Sequence, residues 1–328
     1  MKTHPFLAIF VSATVVLLAG SARAAVTAGA PFGSDAAQQT EKFAKTVPLV
    51  KGGTFDLSNI SGDIIITGGS GDQVVIDAIK KGRSAEELKA VTIEVTSIGN
   101  RVEVRTRYPE NSHNLGSVSV GYTVAVPRAA AVIVKSISGD ENITGVDGEL
   151  QSNTISGNVT VTAAADVRSL KSISGDVHVQ TSKSSGALAV SSISGDVTLK
   201  DVKAAEIQVN GVSGTIKMDE VTSSHVSAKC ISGNITFGGP LAKGGRYELN
   251  SHSGDITIYA SDKVGIEVSA STFSGDVSSE LVLTSKFGGD TPSGRGRRMR
   301  QSVQGTFGDG SALLQLTSFS GDIRIVKR

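Results

Sequence analysis

Seven carboxylates, Asp63, Asp140, Asp176, Asp196, Asp255, Asp276 and Asp322, close a recurring tripeptide. A column of hard oxygens at regular spacing is chemistry suited to calcium. The tripeptide is Ser-Gly-Asp, starting at Ser61, Ser138, Ser156, Ser174, Ser194, Ser213, Ser232, Ser253, Ser274 and Ser320. Three copies carry Asn158, Thr215 or Asn234 in place of the acid, without adjustment around them, and the nine-residue Gly-Gly-x-Gly-x-Asp period of calcium-binding β-rolls is absent. Ser, Gly, Asp and Asn are also turn residues: Gly supplies positive φ, and the others bond nearby backbone. The column therefore reads as structural, with no metal and no cofactor. Gly62, Gly139, Gly157, Gly175, Gly195, Gly214, Gly233, Gly254, Gly275 and Gly321 are assigned to the turns.

Other reactive side chains give no constellation. The five His residues are isolated, with no His-x-x-x-His pair and no neighbouring Cys, so neither a zinc site nor a nucleophile triad is supported. Cys230, the one cysteine, falls in a small-residue column with Ser136, Ser172, Ser192 and Gly211 and reads as an inert filler. His252 replaces the residue that precedes the motif Ser, a column of Ile60, Ile137, Ile173, Ile193, Val212, Ile231 and Phe273, and is expected to be half-buried. A carbohydrate-cleaving groove would need acids beside aromatic platforms. The chain has no Trp, and Phe55, Phe237, Phe273 and Phe319 are read as inward. No enzyme is expected. Thr160, Thr198, Thr236 and Thr257 share one outward slot, but His178, Lys217, Ser278 and Arg324 interrupt it, which argues against an ice-binding array.

The best binding candidate is basic. Arg295, Arg297, Arg298 and Arg300 lie within seven residues, in an insertion at 284–304 that the repeat does not need. Guanidinium clusters bind phosphates and carboxylates through paired donors, which suits an anionic polymer, a lipid headgroup or an acidic protein. A solvated tip between two strands is the competing reading.

The elements that position these residues follow from the repeat. Eight copies, Ser138 to Ser274, succeed one another every 18 to 21 residues. Three and five residues after the motif Ser stand apolar pairs such as Val159/Val161, Val177/Val179, Ile235/Phe237 and Ile256/Ile258, with mixed residues between them; six and four before it stand Val132/Val134, Leu188/Val190 and Ile207/Val209. Such period-two alternation buries one face of each strand. Each coil is thus two short strands hinged at Ser-Gly-Asp. No coil can bury its apolar face alone, so the coils stack. The fold class is all-β, a single-stranded β-solenoid of coils of about 19 residues, and eight consecutive copies span about 34 Å at the ~4.8 Å strand spacing. One short helix is expected near the N-terminal end, where Ser84-Ala85-Glu86-Glu87 forms a capping box. The motif-free stretch 68–127 and the interruption at 281–310 are expected to be irregular ends.

Residues 1–24 have a basic start, an apolar run from Phe6 to Leu18 and an Ala22-Arg23-Ala24 cleavage site, the pattern of a secretory signal peptide. Residues 25–45 read as a flexible leader and 46–328 as the solenoid. The formal charge of +1 becomes −1 once Lys2 and Arg23 are removed, a balance that favours neither nucleic acid nor an acidic membrane. No membrane span is expected.

The Ser-Gly-Asp-[Val/Ile]-x-[Val/Ile] coils, the strand Val124-Ala125-Val126-Pro127 leading into them and the terminal Ser-Gly-Asp-Ile coil resemble the bacterial putative-adhesin family of β-strand-repeat proteins, over about residues 46–328. The resemblance implies a fold and brings no catalytic residues. The expected function is a non-enzymatic, adhesin-like binding module in the periplasm or at the cell surface. Its partner would be an envelope or surface ligand, a protein or an anionic polymer. A periplasmic structural or regulatory scaffold contacting another envelope component is the alternative.

Overall fold

Alternating apolar residues, turned every few positions by glycine, produce two long sheets of 13 strands each. The computed structural model describes residues 38–109, 118–261, 263–284 and 301–328. The signal segment and Arg295, Arg297, Arg298 and Arg300 lie outside the described residues. The N-terminal part contains β1 (Gln39–Pro48), β2 (Thr54–Ser58), β3 (Ile64–Gly69), β4 (Gln73–Gly82), α1 (Ala85–Ala90), β5 (Thr92–Ile98), β6 (Arg101–Arg107) and β7 (Ser119–Pro127). Coils then follow as strand pairs: β8 (Ala131–Ser138) and β9 (Glu141–Thr144), β10 (Glu149–Ser156) and β11 (Val159–Thr162), β12 (Asp166–Ser174) and β13 (Val177–Lys183), β14 (Ala187–Ser194) and β15 (Val197–Lys203). The series continues with β16 (Glu206–Ser213) and β17 (Ile216–Asp219), β18 (His225–Ser232) and β19 (Ile235–Gly238), β20 (Arg246–Ser253) and β21 (Ile256–Ala260), β22 (Ile266–Ser274) and β23 (Val277–Ser279). The chain closes with β24 (Gln301–Phe307), β25 (Ala312–Ser320) and β26 (Ile323–Lys327).

Within the repeat the coils pair parallel, motif on motif, and in register except for one bulge in β12, where Leu150 aligns with Val167 but Gln151 with Ser169. Val159 aligns with Val177, Val177 with Val197, Val197 with Ile216, and Ile216 with Ile235. The inward pairs are fully buried between the two sheets, so each coil's apolar side chains are sealed by the coils above and below. A second corner recurs seven residues after the motif Ser, where Gly145, Ala163, Thr181, Asp201 and Glu220 all have φ between 48° and 70°. Left-handed backbone at a non-Gly residue costs roughly 1–2 kcal/mol. Inter-coil bonds such as Ala163 N–H to the Gln180 carbonyl, 3.1 Å, hold it there.

The order of coils in the stack departs from their order in the chain at both ends. The expected rod of successive copies holds from Ser138 to Ser253, but β25 and β26 pair with β20 and β21 on one side and with β22 and β23 on the other. The last coil is therefore inserted between the Ser253 and Ser274 coils. At the other end β2 and β3 sit between β8/β9 and the motif-free β6/β7. The described parts of the stretches expected to be irregular form regular strands that cap the stack. β4, β5 and β24 pair antiparallel with β7, β6 and β22, and such turned-back strands cover edges that a parallel stack leaves open.

One part of the segment read as a flexible leader, residues 39–45, is strand. These residues belong to β1, which pairs antiparallel with β4 along ten residues. Its side chains are nearly all exposed, so backbone bonding to an open edge, and no apolar period, makes it a strand. The helix forms as expected: the Ser84 hydroxyl accepts the Glu87 N–H at 3.2 Å and Leu88 is buried against the sheet.

Candidate functional site

The Ser-Gly-Asp corner is a stacked hydrogen-bonding device. Asp63 Oδ1 accepts the backbone N–H of Asp140 at 3.0 Å, Asp140 that of Asn158 at 2.9 Å, Asn158 that of Asp176 at 2.9 Å, and Asp176 that of Asp196 at 2.8 Å. Past the interruption at Thr215 the ladder resumes from Asn234 through Asp255 and Asp322 to Asp276. Gln301 of the C-terminal cap donates Nε2–H to Asp276 Oδ1 at 3.0 Å and closes the column. The acids thus bond the next coil, not their own turn as the turn chemistry implied. An amide oxygen serves as well as a carboxylate, which explains Asn at two levels. The stacked glycines lie so close that a Cβ on Gly157 would stand 2.1 Å from the Gly139 carbonyl oxygen, at a φ of +145°. Arg324 bonds Asp255 at 3.2 Å and Asp322 at 2.7 Å, where three acids follow one another.

Beside this ladder runs an apolar ridge. The residue before the motif Ser points outward, in stack order Ile60, Ile137, Ile155, Ile173, Ile193, Val212, Ile231, His252, Phe319 and Phe273. The nine apolar members are 36 to 52% exposed. Phe319 is stacked between two rings, 4.9 Å from His252 and 4.9 Å from Phe273, nearly parallel to both. This corrects two expectations: Phe273 and Phe319 are not inward, and His252 is exposed. Strand parity is the reason. Positions six, four and two before the motif Ser face the core, so the position immediately before it cannot. Ten levels at the strand spacing make the ridge about 43 Å long.

A shallow groove of about 490 Å³ follows the aromatic end, lined by Lys229, Asn250, His252, Phe273 and Phe319. Cys230 lies at its floor, where burial pushes the thiol pKa up and Sγ approaches the Gly214 carbonyl at 3.4 Å. On one flank of the ridge, three residues before the motif Ser, stand Lys135, Lys171 and Lys229 among Ser, Asn and Thr. On the other flank is the Asp column.

Two buried polar groups complete the picture. Glu141 occupies an inward slot filled elsewhere by Ile or Val and is fully buried between Ile64 and Val159. Burial pushes its pKa up from 4.5 to about 7, against the lowering effect of the hydrogen bond from Ser152. Its second oxygen has no hydrogen-bond partner. At the N-terminal end Asn59 donates to the Val120 carbonyl at 2.9 Å and accepts from Thr106, whose hydroxyl also meets Tyr122 OH at 2.7 Å. Desolvation raises the Tyr122 pKa to about 12. Sequence reasoning missed Glu141, although a Glu where every aligned coil has an aliphatic residue was the signal. Among the described residues, no group of three or more His, Cys, Asp or Glu side chains is placed to hold a metal, and no helix is long and apolar enough to cross a membrane.

Fold and surface together define a parallel two-sheet β-solenoid whose described surface presents ladders of side chains in register. Residues 54–326 match the family described as Toastrack DUF4097, and the chain belongs to it. The resemblance carried by the coils is thereby confirmed. Among curated proteins none matches. Among solved structures, the chain is similar to a putative adhesin from Bacteroides fragilis, 13% identical over 87% of this chain and 97% of that one, with a TM-score of 0.43. It is also similar to a putative lipid binding protein from Parabacteroides distasonis, 11% identical over 87% and 96%, TM-score 0.44. A third is a putative cell adhesion protein from Clostridium sporogenes, 12% identical over 88% and 100%, TM-score 0.27.

Proposed function

We propose that this protein is a non-enzymatic, extracytoplasmic, adhesin-like module that binds a macromolecular ligand along the apolar ridge. One observation carries the reading: a continuous line of half-exposed Ile, Val and Phe on one corner of a long repeat stack. Isolated surface aliphatics need no explanation, but contiguous apolar patches mark interaction sites. The neighbouring acids support a binding role over a chemical one, because each ladder oxygen that accepts an amide is committed to the fold. Export rests on the signal-peptide pattern of residues 1–24.

Arg295, Arg297, Arg298 and Arg300 add a second, anion-selective contact in this reading. The residue that follows them, Gln301, pairs with Thr272 beside Phe273, at the aromatic end of the ridge. The test combines location with binding. A membrane-impermeant reagent should label the mature protein on intact cells, and purified protein should be retained on isolated envelopes. Replacing Ile155, Ile193 and Ile231 by Thr should abolish that retention. Unchanged retention would remove the ridge as the binding surface, and labelling only after the outer envelope is opened would favour the periplasmic scaffold.

A further inference from the structure

We propose that the partner of the ridge is a second copy of this chain, paired about a two-fold axis parallel to the coil stack. This rests on the ridge being the binding surface. The first argument is area. Nine apolar side chains at about half exposure, each presenting about 90 Å², give roughly 800 Å² per copy, the amount a stable interface of ordinary size buries on each partner. The second is shape. A straight row of side chains at a fixed spacing meets an identical row level by level, and a closed two-fold contact requires a self-complementary patch.

The third argument is charge, and it selects the orientation. With the axis along the stack, each copy's Lys flank faces the other's Asp flank. Lys135 then lies level with the second copy's Asp140, and Lys171 with its Asp176, because each pair belongs to one coil. With the axis across the stack, like flanks meet. The ten-level order places Lys171 against Lys229, Asp140 against Asp322 and Asp63 against Asp276. Exposed ion pairs add little affinity, but juxtaposed like charges exclude an arrangement. Parallel pairing also brings the His252–Phe319–Phe273 stack against its own equivalent, so the groove beside it is covered by aromatic surface.

The experiment uses the mature chain with Cys230→Ser, a change that follows the serines of its column. Sedimentation equilibrium gives the oligomeric state, and single cysteines report orientation under mild oxidation. The expected result is a dimer in which Ile137→Cys cross-links to itself, and in which Ile155→Glu with Ile193→Glu weakens association by about 30-fold or more. Ile65→Glu, at an exposed aliphatic on the outer face of the other sheet, should leave it intact and controls for folding. A dimer in which Ile137→Cys joins only to a Phe319→Cys copy would overturn the axis. A monomer at 100-fold the concentration used for envelope retention would overturn the second copy as partner. If the ridge variants then lost retention on envelopes, or on phosphatidylethanolamine–phosphatidylglycerol vesicles, the binding role would stand with another occupant. A monomer whose ridge variants kept full retention would remove both proposals.

Discussion

Asp140 accepts the backbone N–H of Asn158 through Oδ1 at 2.9 Å, from one coil to the next. The bond requires a planar carbonyl-type oxygen at one reach from the backbone and no charge. Asp176→Asn should therefore leave the melting temperature nearly unchanged, whereas Asp176→Ala should cost about 1 kcal/mol by depriving the Asp196 N–H of its acceptor. Thr215 donates its N–H to Asp196 Oδ1 but has no carbonyl-type side-chain oxygen to offer the Asn234 N–H, so Thr215→Asn should stabilise by about 1 kcal/mol. Thermal unfolding of the three variants checks all of this. A large loss in Asp176→Asn, or a calcium-dependent melting temperature, would restore a charged role for the column.

The glycine stack sets a stricter limit. Gly157→Ala should cost about 3–5 kcal/mol, because its Cβ would meet the Gly139 carbonyl at 2.1 Å and neither coil can withdraw without breaking its ladder. Gly52→Ala, also at positive φ (+78°) but with nothing within 4 Å, should cost only about 1–2 kcal/mol of backbone strain. Denaturant midpoints compare the two. Equal losses would mean that φ alone, and not the contact between coils, dictates glycine.

Much of this was legible in the residues, and the remainder was hidden for identifiable reasons. Val177 and Val179, or Ile256 and Ile258, declare an inward face by alternation alone, and Ser84 declares its helix. The tripeptide is nearly the same in every coil, so it carries no address. Nothing at Ser320 says that its coil belongs between those of Ser253 and Ser274. The ridge was present in the same alternation, since an inward Ser136 and Ser172 force Ile137 and Ile173 outward. An aliphatic column invites the opposite reading because aliphatics usually belong inside. The Arg cluster gave a chemistry without a position, and its residues lie outside the described ones.

Glu141 makes the stack pH-sensitive. Its folded pKa, about 7, is above the ordinary 4.5, so between these values the folded chain holds a proton that the unfolded chain has lost. Stability is then full below about pH 4.5, falls as pH rises through about 7, and is level above that. The shift corresponds to about 3 kcal/mol at its full extent. Glu141→Gln should flatten this part of the profile, and Glu141→Val should raise stability at pH 8 by filling the slot as the other coils do. The difference between wild-type and Glu141→Gln stability, measured by urea unfolding from pH 4 to 9, isolates the effect from the other carboxylates. A pH-independent difference would show that Glu141 is hydrated and ionised throughout.

The inserted last coil tests how far the ladders are interchangeable. β25 bonds β20 on one side and β22 on the other, with Ser320 level with both Ser253 and Ser274. Removing residues 311–328 leaves a gap one level high. Across it, β20 and β22 face each other with compatible inward rows, Tyr247 toward Val268 and Leu249 toward Ala270, as their shared partners Leu314 and Leu316 show. Gly275 would meet the Gly254 carbonyl just as Gly321 now does. The connection from Ala260 to Ile266 already spans two levels, so closing the gap only slackens it. The truncated chain should therefore shorten by one level, with β22 seated directly on β20. Hydrogen exchange should show amides of 266–274 still protected, and Phe273 should stack on His252. Free exchange through 266–279, with protection kept in β10 to β17, would instead make the last coil a lock that the end of the stack cannot do without.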